Sequence, residues 1–280
     1  MAALTIDALL PPEMARRAEE IGVKKASMDL LSMFTLAVLA GAFIALGGVF
    51  ATVALAGTGA APWGPVRVLA GFVFSLGLIL VLVGGAELFT GNNLIVMAWA
   101  GRRVSTAALV RNWTVVFAGN FLGAVATALV VLLGRVHEFG DGAFGVTAME
   151  IARAKLHLGF GQAVALGVLC NTLVCLAVWL TQSARTTADR ILATIPPISA
   201  FVAAGFEHSI ANMYFVPLGL FIAALDPGFV AARGLELQGL GWEAFLVRNL
   251  LPVTIGNLIG GTLLVGAVYW FVCLRPRAGA

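Results

Sequence analysis

The sequence predicts an all-α membrane protein: six transmembrane helices in a 3+3 inverted repeat, with the second and fifth helices broken. Three observations predict it. Only 11% of the 280 residues are charged and 60% are hydrophobic, against about 25% charged in an ordinary soluble domain. A folded surface must face something, and one this apolar faces lipid. Six long stretches carry almost no charge, and two sets of polar residues recur at the same spacing in the two halves. A mean hydropathy of +0.99 excludes a disordered chain. A net charge of +3, thinly scattered, excludes a nucleic-acid footprint.

In chain order, the first 29 residues carry both signs of charge, including Arg16, Arg17, Lys24 and Lys25. The apolar run behind them is too long for the core of a cleaved signal, so none is expected. Pro12 to Lys25 reads as a short amphipathic helix on the membrane surface, entered through Pro11-Pro12. A spanning helix needs about 20 apolar residues. Leu30 to Val66 is uncharged, and a Gly/Pro-rich turn near Gly57 to Pro65 confines the first helix to the earlier part of it. Val68 to Gly101 carries one charge, Glu87, and Asn112 to Gly134 none. Leu156 to Ala184 contains His157, Ile191 to Leu225 contains Glu207 and His208, and Asn249 to Leu274 is uncharged. The expected organisation is a cytoplasmic amphipathic segment 1–29, a six-helix membrane domain 30–274 and a short cytoplasmic tail 275–280. With both termini inside, eleven of the 17 basic residues are cytoplasmic and six external, which satisfies the positive-inside rule for an inner (plasma) membrane protein. The 33 glycines point to closely packed helices. Cys170, Cys175 and Cys273 lie in or at the end of apolar spans and read as packing residues, not as a disulfide or metal set.

Arg111-Asn112 precedes Gly119-Asn120 as Arg248-Asn249 precedes Gly256-Asn257, and Gly85-Ala86-Glu87 leads to Asn92 as Gly205-Phe206-Glu207 leads to Asn212. A unit of three crossings repeated once puts the second copy upside down. The second and fifth uncharged stretches, 34 and 35 residues long, exceed one crossing and fall short of two plus a loop, so each is a broken helix. Irregular backbone at that depth survives only where protein buries it or a polar cavity solvates it. Glu87, Asn92, Glu207 and Asn212 are therefore read as structural polar groups at the breaks. The glutamates would cap or brace the half-helices through backbone N–H groups or a basic partner such as Lys155. Half-helix N-termini at such a break favour an anion. His208 is the one histidine deep within a span, and an intramembrane ionisable residue is a functional candidate by default.

Four ordered segments carry a further signal: Gly85 to Thr90, Asn171 to Trp179, Gly205 to Met213 and Asn249 to Gly261. In them the chain resembles the formate/nitrite transporter family over nearly its whole length. The resemblance implies an aquaporin-like architecture and a homopentamer in the lipid bilayer, each protomer with its own narrow pore for a small monovalent anion. Formate comes first, with nitrite or hydrosulfide as the alternative, and passage is by a pH-gated channel or a proton-coupled mechanism. No cofactor, metal or nucleic acid is implied. By position, His208 matches the pore histidine, Thr90 a threonine on the opposite broken helix, and Asn171 a polar residue near the histidine. Phe74, Leu78 and Phe201 match an outer constriction, and Leu88, Phe89 and Val174 an inner one. Lys155 matches a vestibule lysine at the outer end of the fourth helix, and Lys25 a basic residue below the inner mouth.

A naked carboxylate is severely penalised in a hydrocarbon-like constriction, and the neutral acid is not. Vestibule lysines would concentrate the anion and apolar rings would strip its water. His208, hydrogen-bonded to Thr90 or Asn171, would hold it and give or relay a proton. Other classes fit less well. An aquaporin-type neutral solute channel would share the repeat but should show paired Asn-Pro-Ala motifs, which are absent. An enzyme would need a nucleophile with a base or a metal cluster, and there is no H-E-x-x-H, G-x-S-x-G or Cys/His set.

Overall fold

A computed structural model describes residues 8–276. Residues 1–7 of the amphipathic segment and Arg277 to Ala280 of the tail lie outside the described residues. Among those described, all regular structure is helical. The order is α1 (Pro11–Ala26), α2 (Leu30–Leu55), α3 (Trp63–Gly84), α4 (Phe89–Asn92), α5 (Val96–Ala100), α6 (Thr106–Leu133), α7 (Ala143–Leu156), α8 (Phe160–Leu180), α9 (Thr187–Ala203), α10 (Ser209–Leu225) and α11 (Pro227–Arg233). The last, α12 (Ala244–Cys273), contains two π-helical stretches. Five helices, α2, α3, α6, α8 and α12, are long and apolar enough to cross a membrane, and α10 with α11 passes the same test bent by 95°.

The helices begin where short polar side chains satisfy free backbone donors. Asp29 accepts from the N–H of Ser32 at 2.9 Å to open α2, Ser105 from that of Ala108 at 3.2 Å to open α6, and Thr186 with Asp189 forms a reciprocal capping box on α9. The expected turn after α2 closes at Pro62, and α3 starts at Trp63.

Helix α3 ends at Gly84 and α9 at Ala203, and each is followed by a glycine in the left-handed region, Gly85 at φ 80° and Gly205 at φ 75°. A side chain is strained there, so glycine lets the backbone turn out of the helix. The chain then runs extended and re-enters a helix at Phe89 and at Ser209. The freed backbone groups are met by two asparagines. Asn120 donates to the carbonyls of Ala37 and Glu87 and accepts from Phe89 N–H at 2.9 Å; Asn257 donates to those of Gly167 and Glu207 and accepts from Ser209 N–H at 2.9 Å. These asparagines belong to the repeated Gly-Asn pairs of the sequence.

Close approach of helix axes brings the asparagines within reach. A Cβ on Gly123 would lie 2.0 Å from the carbonyl oxygen of Val38, and one on Gly256 2.2 Å from that of Val164, so α2 packs on α6, and α8 on α12, at glycine distance.

Two readings change. Helix α1 has the expected limits, but Met14, Ala15, Ala18 and Gly22 are buried, the last against Ile95 and Ala98, so its small face docks on protein and not only on the membrane. Lys155 lies at the end of a separate helix, α7, which precedes α8, and not on the fourth long helix itself. Helix α7 was masked in the sequence by its weak hydropathy, yet Phe144, Ala148, Ala152 and Leu156 are buried at helical spacing and pack it against α10.

Candidate functional site

The segments that follow α3 and α9 carry similar polar clusters, which differ in that Lys25 reaches Asn92 Oδ1 while Asn212 Oδ1 has no partner. Lys25 Nζ lies 2.6 Å from Glu87 Oε1 and donates to Asn92 Oδ1 at 3.0 Å; Asn92 donates to Glu87 Oε2 at 2.7 Å and to Asn112 Oδ1 at 2.9 Å; Asn112 donates to the Lys25 carbonyl at 3.1 Å. At the other break Lys155 Nζ lies 2.8 Å from Glu207 Oε1, Asn212 donates to Glu207 Oε2 and Asn249 Oδ1 at 2.7 Å each, and Asn249 donates to the Lys155 carbonyl at 3.0 Å. The glutamate side chains are 4% and 5% exposed. A carboxylate so buried needs a charged partner and filled lone pairs, and each has both.

His208 is the N-cap of α10. Its Nδ1 accepts from the backbone N–H of Ala211 at 3.0 Å. A backbone amide can only donate, so in this arrangement the ring carries its proton on Nε2, which faces Thr90 Oγ1 at 3.0 Å. Leu88, the N-cap of α4, offers no such acceptor. Phe201 stacks beside the His208 ring at 5.8 Å and meets Phe74 edge-on at 5.7 Å.

Two cavities flank this group and share no lining residue. One, of about 220 Å³, is lined among others by Arg17, Lys25, Leu78, Glu87, Leu88 and Arg190. The other, of about 260 Å³, is lined by Arg67, Phe74, Lys155, Phe201, Glu207 and His208 among others. Phe74 and Phe201 therefore stand together, while Leu78 lies on the opposite cavity with Leu88. It is four residues further along α3, about 6 Å at helical rise. Phe89 and Val174 are buried but line neither cavity; the Phe89 ring packs edge-on to Phe117 at 5.0 Å. Asn171 is not bonded to His208. It donates to Asn93 Oδ1 and to the Asn257 carbonyl, both at 2.7 Å, and to the Thr90 carbonyl at 3.4 Å, so it fixes the backbone behind Thr90.

Sequence reasoning missed three cavity arginines. Arg67 donates to the Val202 carbonyl at 2.7 Å and the Ala203 carbonyl at 3.2 Å at the end of α9. Arg17 donates to the Gln182 carbonyl at 2.9 Å. Burial lowers the Arg17 pKa, and the nearby charges of Arg190 and Arg185 lower it further. Their signal was available: Arg17 stands on the charged stripe of α1, and Arg190 in the first turn of α9.

A buried hydrogen-bonded histidine–threonine pair, closed off by aromatic and aliphatic side chains between two largely apolar cavities that each carry charged groups, can admit a small polar solute only after it sheds its water. The sequence model of the formate/nitrite transporter family matches residues 12–271. The chain is 44% identical to the formate channel FocA of Escherichia coli (strain K12), over 97% of its own length and 96% of the relative's. Its fold superposes on a pentameric formate channel with formate bound at a TM-score of 0.82 and 44% identity, covering 88% of this chain and 98% of that one. It superposes on an FNT family ion channel at a TM-score of 0.79 and 26% identity, covering 92% and 98%. With the match spanning both breaks and the His208 segment, the chain belongs to the formate/nitrite transporter family.

Proposed function

We propose that this protein moves formate across the inner membrane as a homopentamer, each protomer through its own pore between the Lys25 and Lys155 cavities. The observation that carries the reading is the buried Thr90–His208 pair, with His208 on the Lys155 cavity and Gly91, next to Thr90, on the Lys25 cavity. Matching polar clusters at the two breaks support a 3+3 inverted repeat of six spans, with α3 continued by α4 and α5, and α9 by α10, as the broken members. The unit that repeats takes in a preceding short helix, α1 or α7, because each supplies the lysine. The membrane channel domain is then 30–274, with segments 1–29 and 275–280 on the cytoplasmic face beside the Lys25 cavity.

Phe74 and Phe201 bar the pore on the Lys155 side, and Leu78 and Leu88 on the Lys25 side. Formate reaching His208 has lost most of its water, and as an anion it is poorly tolerated there. Neutral His208 holds it through Nε2–H, shared with the Thr90 hydroxyl. A proton from cavity water taken up at Nδ1 displaces the Ala211 N–H, and the imidazolium then passes its Nε2 proton to formate. The neutral acid crosses the second barrier, Nε2 takes a proton from water as Nδ1 gives its own to water, and the neutral ring re-forms the cap. Glu87 and Glu207 stay paired with Lys25 and Lys155 and brace the breaks.

Flux into liposomes of formate, nitrite, hydrosulfide and glycerol tests this. Formate is expected to pass faster in acid and glycerol not at all. Glycerol flux equal to that of formate would assign a neutral solute channel instead.

A further inference from the structure

The two cavities differ in charge once their lysines are accounted for. Each lysine sits on a buried glutamate, Lys25 at 2.6 Å and Lys155 at 2.8 Å, so each lysine charge is cancelled where it stands. Arg17 and Arg190 are left on the Lys25 cavity, and Arg67 on the other. Neither Arg17 nor Arg190 forms an ion pair with a carboxylate among the described residues. Arg17 is held by neutral carbonyls, those of Gln182 at 2.9 Å and Ala184 at 3.4 Å, which fix the guanidinium without discharging it. The arginines come from α1 and α9, which are far apart in sequence, and both line this cavity.

We infer that Arg17 and Arg190 form an anion-collecting site at the mouth of the Lys25 cavity, which takes a small monocarboxylate before it reaches the constriction. The inference rests on the transport reading above. Two uncompensated positive charges on a low-dielectric cavity raise local anion concentration and entry rate, and such focusing is worth about 10- to 1,000-fold at low salt. It fades as the Debye length falls from about 30 Å to a few ångström. The lysines, discharged by their glutamates, add little to this capture.

The test uses proteoliposomes of one orientation, with formate entry measured from each face at about 0.02 M and about 0.5 M ionic strength. For the Arg17→Gln/Arg190→Gln double variant, half-saturation from the α1 face is expected to rise about tenfold in low salt and to come within about twofold of wild type in high salt. The maximal rate and entry from the opposite face stay near wild type. Arg17→Lys/Arg190→Lys, which keeps the charges, should keep most of the capture. Unchanged half-saturation in low salt overturns the site, and so does a loss equal at both salts and from both faces, which would mark the arginines as structural. If wild-type protein carries no formate, the transport reading fails. Calorimetric formate binding to the solubilised protein then decides the site: weaker binding by the Gln variant in low salt only upholds it, and equal binding sinks it.

Discussion

Residues 88 and 208 hold the same place in the two halves, one step beyond each glutamate, and differ in what they can accept. Leu88 leaves the start of α4 without a side-chain cap, whereas His208 accepts from Ala211 N–H and turns its other nitrogen to Thr90. One position is therefore apolar and uncapped and the other a cap that also reaches Thr90, and in the proposed mechanism pH sensitivity rests on this one side chain. His208→Asn can still accept the Ala211 N–H through its side-chain oxygen but cannot titrate near neutral pH. Formate flux in this variant should lose most of its pH dependence, and proton co-movement read by an internal dye should fall. An unchanged pH profile and proton-to-formate ratio would assign the proton to water alone. At the barrier, Phe201→Ala removes the ring that touches both Phe74 and His208. Acetate and lactate should then pass several-fold faster; unchanged selectivity in a folded variant would remove Phe201 from the pore.

Elements are positioned here by two kinds of contact, glycine approach and buried pairing. Gly256→Ala sets a methyl group against the Val164 carbonyl, a rigid backbone atom, and should destabilise the α8–α12 packing by about 1–3 kcal/mol, read as a fall in the thermal midpoint in detergent. Glu207→Gln leaves Lys155, whose side chain is 15% exposed, without a countercharge. The loss should be about 3–5 kcal/mol, larger than for any surface pair in the chain, and a midpoint within a degree or two of wild type would refute the bracing role. The connection after α6 offers a pH-dependent contact. Asp226 caps α11 through Phe229 N–H at 3.0 Å and meets His137 Nε2 at 3.0 Å. The His137 hydrogen bond, then that amide, holds the Asp226 carboxyl below the usual carboxylate range. Its stabilisation is complete above the ordinary aspartate pKa of about 3.9 and is lost as pH falls through the lowered value, so Asp226→Asn should flatten stability against pH only in acid.

On the scale of the whole molecule, large apolar side chains remain exposed along α2, α3, α6 and α12, among them Phe50, Phe72, Leu122 and Phe271. In the proposed pentamer these faces are shared between neighbouring protomers and lipid. Native mass spectrometry in mild detergent should find five copies, and monomers or dimers alone would count against the assembly. Under the inference above, Arg17 and Arg190 put the larger uncompensated charge on the cavity facing α1, which would make the molecule electrically lopsided along the proposed pore.

What the sequence determined by itself is what is written in local pattern. The uncharged stretches, the repeated Glu, Asn and Gly-Asn positions, and His208 as the one histidine deep within an apolar stretch all follow from composition and spacing, because lipid penalises any charge or unpaired amide it meets. Tertiary structure alone decided partners and sides. Lys25 reaches Glu87 across 62 positions and Arg17 reaches Gln182 across 165. Leu78 and Phe74, four positions apart, line opposite cavities because about 6 Å of helical rise separates their turns of α3. Asn171 turned out to fix the backbone behind Thr90 and not to bond His208, because three carbonyls converge on its amide. Helix α7, too short and too polar to register as a span, became legible only when α10 covered its buried stripe. Spacing along a chain states which groups need burial or pairing; it carries no record of which distant group the folded helices bring within 3 Å.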